Sequence, residues 1–108
     1  MNLTKQQIVN RTKALSVLDK CYNKNIDFVK ISTANSREHE LAKCGICYDL
    51  QKEGKHTITE AHFAGGKGRC DILCLEDNLA IEIVCTEREE SLFKKQLKYP
   101  IDIKVIRV

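Results

Sequence analysis

The sequence has no tryptophan, one proline, one methionine, three tyrosines and three phenylalanines. Such a chain announces no aromatic-rich stacking surface. It also has no run of basic residues. Its net charge of +3 permits nucleic-acid binding without requiring it. No apolar stretch approaches the roughly 20 residues of a transmembrane helix. The opening MNLTKQQIVNRTK lacks the apolar segment of a signal peptide. The expectation is therefore a cytoplasmic protein with no membrane partner. Internal repeats and low-complexity segments are absent as well.

What is present fits one domain with a modest core. The chain has 108 residues, 43% of them hydrophobic and 31% charged, an ordinary soluble globular composition. Six cysteines are many for that length. Cys44 and Cys47 have a zinc-like spacing, and Cys70 and Cys74 would have to complete the set. However, Cys70 and Cys74 fall along an expected strand, about 13 Å apart at ~3.3 Å per residue. Cys44 and Cys47 fall mid-helix. Small buried thiols are the better reading, and a zinc-stapled interaction domain is the lesser one.

Periodicity predicts a helix from about Thr4 to Asn23, then a short strand or extended linker at Ile26–Ile31. A second helix is expected from Ser36 to Glu53, capped by Asn35 or Ser36 and stopped by Gly54. Its apolar residues Leu41, Cys44, Gly45 and Tyr48 mark the expected inward face. Glu38 falls on that face and Glu40 well off it. Three strands follow, at His56–Ala64, Arg69–Leu75 and Leu79–Cys85, the last two joined by a hairpin at Glu76-Asp77-Asn78. A charged helix from Glu87 to Leu97, with Leu92, Phe93 and Leu97 inward, ends before Pro100. Residues 101–108 form a closing strand. The predicted organisation is an N-terminal helical extension over 1–35 and a core over 36–108. The fold class is α/β, with a four-stranded mixed sheet flanked by helices.

Two acids sit inside the apolar strands: Asp71 in GRCDILC and Glu82 in AIEIVC. A buried unpaired charge costs several kcal/mol or is forced neutral, whereas a cation site requires such groups. With the hairpin centred on Asp77-Asn78, Asp71 comes roughly opposite Val84 and diagonal to Glu82. The two carboxylates then reach one hard divalent ion, Mg²⁺ or Mn²⁺. Glu38 is the candidate third acid, and Glu60 on the first strand is another. The bland alternatives are a solvent-facing polar stripe, or neutralisation by Arg69 or a lysine. His56 and His62 are read as packed or surface histidines.

The order αβββαβ, with Asp on one strand and Glu on the next, resembles the PD-(D/E)xK, restriction-endonuclease-like nucleases. Glu38-His39-Glu40-Leu41-Ala42-Lys43 resembles the first-helix motif of archaeal Holliday-junction resolvases, whose functional acid would be Glu38. Ser36-x-x-His39 followed by Asp71, Glu82 and Tyr99 resembles bacterial competence-associated nuclease-like proteins. Gln96 and Tyr99 resemble the Gln-Tyr helix motif of exonuclease members. The resemblance covers residues 36–108. It implies a metal-dependent endonuclease hydrolysing DNA phosphodiesters by metal-activated water, with RNA open as a substrate; two cuts by so small a chain would need two sites, which leaves a homodimer open. One departure stands out: Val84 occupies the position of the family's lysine. Arg69 is the first substitute, and Lys67, Lys94 and Lys95 are the next. The competing reading, which Val84 favours, is a catalytically degenerate nucleic-acid-binding or assembly module.

Overall fold

Thr4 starts the first helix. Its hydroxyl accepts the Gln7 N–H at 3.1 Å, and the Gln7 side chain accepts the Thr4 N–H at 2.9 Å. This reciprocal cap satisfies two otherwise orphaned donors. The computed structural model describes residues 3–20, 25–85 and 89–108. Cys21 and the predicted helix limits at Asn23 and Glu87 lie outside them. Helix α1 (Lys5–Ser16) stops well short of the predicted end. The cause is tertiary. Ala64 N–H donates to the Val17 carbonyl and Asp19 N–H to the His62 carbonyl, both at 2.9 Å, and Leu18 bridges to Phe63. Bonds to the sheet replace the next helical turn.

Residues 25–35 are irregular, and they line the first strand instead of forming one. Asp27 N–H donates to the Thr57 carbonyl at 2.7 Å, and Lys30 N–H to the Thr59 hydroxyl at 2.9 Å. The remaining elements are α2 (Arg37–Lys52), β1 (Thr57–His62), β2 (Arg69–Cys74), β3 (Leu79–Val84), α3 (Glu89–Lys98) and β4 (Asp102–Arg107). The sheet order is β1-β2-β3-β4. The first three strands are antiparallel, and β4 runs parallel to β3 after crossing over through α3. The protein is α/β with a four-stranded mixed sheet, in the element order the resemblance implies. No helix among the described residues is long and apolar enough to cross a membrane.

Each sheet face has its own core. Ala14 and Leu18 from the α1 side, together with Tyr99, pack on Ile58, Leu73 and Ala80. On the other face Cys47, Ala42 and Ile46 of α2 pack on Ile72, Ile81 and Ile83. Cys70 and Cys74 are buried too, and all described cysteines are free thiols. Strict alternation fails once. Ile58 and Ala61 both join the α1-side core, as do their partners Leu73 and Cys70. The switch falls at Glu60, whose φ is +52°. A left-handed non-glycine residue in a strand is strained. Here it re-aims the side chains of Glu60 and its neighbours.

Gly68 opens β2 at φ +107°, and a Cβ there would lie 2.7 Å from Tyr99 Cε1. Both strain and collision follow from any side chain. Gly68→Ala is expected to lower stability by about 1–3 kcal/mol, measured by urea unfolding. An unchanged midpoint would show that Tyr99 is not held as described.

Candidate functional site

Helix α2 presents the face opposite to the expected one. His39, Glu40, Lys43 and Cys47 are buried, while Leu41 and Tyr48 are 60% and 65% exposed. Glu38 is exposed, so its predicted place over the sheet is corrected. An apolarity count chose the wrong face because the sheet beneath carries Glu60 and Asp71, which draw polar partners. Ser36 caps the helix by accepting the His39 N–H at 3.1 Å.

The inward residues of α2 form a continuous polar network. The Lys43 ammonium is fully buried, 2.6 Å from Glu40 Oε1 and 3.2 Å from Glu60 Oε1. His39 Nδ1 lies 2.6 Å from Glu40 Oε2, and its Nε2 lies 3.3 Å from Asp71 Oδ2. Burial would push the Glu40 carboxyl up. Bonds from Lys43, the Ser32 N–H and His39 outweigh it and hold the group down at about 2. For His39, burial opposes the charge, but Glu40 and Asp71 prevail and raise its pKa. Lys43 shifts upward against burial for the same kind of reason.

Asp71 and Glu82 meet at the end of this chain. The hairpin pairs Ile72 with Ile81. Carried one step further, that register sets Asp71 beside Glu82, not Val84. Asp71 Oδ2 also accepts the Ile83 N–H at 2.8 Å, which anchors it across the strand gap. Glu82 is buried, and burial, reinforced by the charge of Asp71, pushes its carboxyl up to about 7 against the pull of Tyr99 and Lys95. The Tyr99 hydroxyl lies 2.6 Å from both the Arg69 carbonyl and Glu82 Oε1. Its one proton is offered to either acceptor, and donation to Glu82 is the pull that favours the carboxylate.

Helix α3 supplies the cation that Val84 does not. Val84 is buried. On α3 Leu92 faces inward as expected, with Lys95 a turn later and Tyr99 just past the helix end, whereas Phe93 and Leu97 are exposed, contrary to expectation. This orientation brings Lys95 Nζ to within 3.5 Å of Glu82 Oε2. Arg69 Nε instead lies 3.2 Å from Glu60 Oε2. Lys67 and Lys94 are exposed and outside the cleft.

These groups surround an open cleft of about 470 Å³, lined among others by Ser36, His39, Arg69, Asp71, Glu82 and Lys95. The cleft therefore brings together Asp71, Glu82, Arg69 and Lys95. It links Glu60 to them through Lys43 and Arg69, and it leaves Glu38 out. Sequence reasoning gave Glu40 and Lys43 no role, although they stand one turn apart in the same helix segment as Glu38, the acid it chose. Among the described residues, no three His, Cys, Asp or Glu side chains converge as an ion cage. Comparisons with protein-family models, curated proteins and solved structures give no match.

Proposed function

We propose that this cleft is the active site of a metal-dependent nuclease of the PD-(D/E)xK kind, acting on DNA phosphodiesters. The observation that carries the reading is the adjacency of Asp71 and Glu82 at one open cleft with Lys95 beside them. Two like-charged groups held together in a partly buried place are relieved by a cation. Asp71 and Glu82 would hold Mg²⁺ or Mn²⁺, leaving its other positions to water and phosphate oxygens, the usual mode for magnesium. When bound, such an ion supplies an activated water and neutralises charge at the phosphate.

The chain's own groups have separate tasks. Lys95 brings positive charge to Glu82 from α3. The bond from Ile83 N–H and the contact with His39 fix the Asp71 carboxyl. Arg69, on the cleft wall, offers guanidinium donors to a phosphate. The test is calorimetric titration of Mn²⁺. Wild type is expected to bind, Glu82→Ala to lose binding, and Glu38→Gln to bind like wild type. No heat of binding with the wild-type protein would remove the reading. The competing reading, a degenerate binding module, is favoured by Val84 and would bind DNA without nicking it.

A further inference from the structure

Arg69 stands between two hollows. One is the cleft with Asp71 and Glu82. The other, of about 350 Å³, is lined by residues that include Phe28, Lys30, Glu60, His62 and Arg69. We propose that the second hollow is a strand-binding subsite. It holds a single-stranded segment of nucleic acid, with a base stacked on Phe28 and the backbone passing Lys30 and Arg69 on its way to the cleft. The substrate class is thus a nucleic acid with an unpaired segment. This rests on the nuclease reading of the cleft.

Phe28 is 67% exposed. A lone exposed aromatic ring needs no explanation, but this one lines a concave surface beside cations. Lys30 is exposed, and Arg69 keeps 59% of its side chain accessible. Arg69 Nε pairs with Glu60 Oε2 at 3.2 Å, and the two Nη atoms carry four further N–H donors. Glu60, the acid that lines the hollow, lies 3.2 Å from Arg69 and 3.2 Å from Lys43, which it shares with Glu40. With Lys30 beside Arg69, cations outnumber the acid in the lining, next to an exposed aromatic ring. That pairing recognises single strands, because a duplex buries the base faces that stacking requires. Arg69 lines both hollows, so a backbone that passes it enters the cleft that holds Asp71, Glu82 and Lys95.

The experiment is fluorescence anisotropy of labelled oligo-dT, and of a duplex of equal length, with the full chain in EDTA. Without metal, no cleavage intervenes. Phe28→Ala and Phe28→Leu are each expected to weaken oligo-dT binding about five- to hundredfold. Phe28→Trp should bind like wild type, and duplex binding should be the weaker throughout. Leucine keeps the apolar character and removes the stacking face. All three replacements are at an exposed position, and circular dichroism checks the fold. Wild-type affinity in Phe28→Ala, or duplex binding as tight as single-strand binding, would overturn the proposal. A failure of the nuclease reading is seen separately, as wild-type protein that binds oligo-dT in EDTA through Phe28 yet cleaves no DNA when Mn²⁺ is supplied.

Discussion

Asp71→Asn is expected to lower Mn²⁺-dependent nicking of plasmid DNA by at least about a hundredfold, because an ion's transition-state charge stabilisation is worth several kcal/mol. The substitution is conservative in shape. An asparagine oxygen can still accept the Ile83 N–H that Asp71 accepts at 2.8 Å. His39 keeps its second partner, Glu40, at 2.6 Å. The fold therefore persists and one negative charge disappears. A second readout separates this from misfolding. Asp71 is among the causes of the raised Glu82 pKa, after burial. In Asp71→Asn the Glu82 carboxyl should titrate lower than about 7, yet remain above an ordinary glutamate because burial is unchanged. Carboxyl carbon NMR reads this directly. Nicking at the wild-type rate with a shifted Glu82 titration would show that the pair exists and is not catalytic.

Lys43→Met should produce the largest loss of stability, about 3–5 kcal/mol, as expected when one partner of a buried ion pair is removed. Domains of this kind have about 5–15 kcal/mol in total. Methionine matches the volume and removes the buried ammonium between Glu40 and Glu60, whose side chains are 8% and 10% exposed, leaving Glu40 with His39 and Glu60 with the more exposed Arg69. The pH dependence follows from Glu40. Its pKa is about 2 in the folded chain against 4.5 ordinarily. The stability it contributes is complete above about 4.5 and disappears as pH falls through 2. The groups facing it are Lys43 and His39 on its own helix and the Ser32 N–H and Asn35 amide from the preceding loop, with Glu60 reached through Lys43. The gap between wild type and Lys43→Met should therefore be widest near pH 7 and narrow on acidification. Glu40→Gln combined with Lys43→Met should recover part of the loss. Urea unfolding at pH 7 and pH 3 measures both. An equal gap at the two pH values would mean that lost packing, not an unpaired carboxylate, explains the effect.

Apolar residues could replace such a network without loss of stability. Its location suggests another use. Lys43 fixes Glu40, Glu40 fixes His39, and His39 meets Asp71 at the cleft. In the nuclease reading this chain of contacts keeps the Asp71 carboxyl in one place while ions and substrate exchange.

The strands were legible because short-range rules dominate there. Alternation, the Glu76-Asp77-Asn78 turn and the apolar flanks of Asp71 and Glu82 are all local signals, and β2 and β3 begin at the predicted residues. Helix orientation was not legible. The apolar stripe of α2 pointed to Leu41 and Tyr48, and that of α3 to Phe93 and Leu97, yet all four are exposed. Both helices turn to the sheet by what the sheet offers: carboxylates under α2, and the Arg69 carbonyl and Glu82 under Tyr99. Glu60 could not be read either, since its strained φ alters which face β1 and β2 present.

By itself the sequence determined the α/β class, the element order and the placing of two acids in adjacent strands, because strand periodicity and turn chemistry act over a few residues. Tertiary structure alone decided that Glu40 and Lys43 are buried while Glu38 is not, that Lys95 supplies the charge beside Glu82, and that Phe28 lies near Arg69. These outcomes depend on pairing charges across distant segments. The free energy of a buried charge is set by the partner that folding brings to it, and local pattern does not encode that partner.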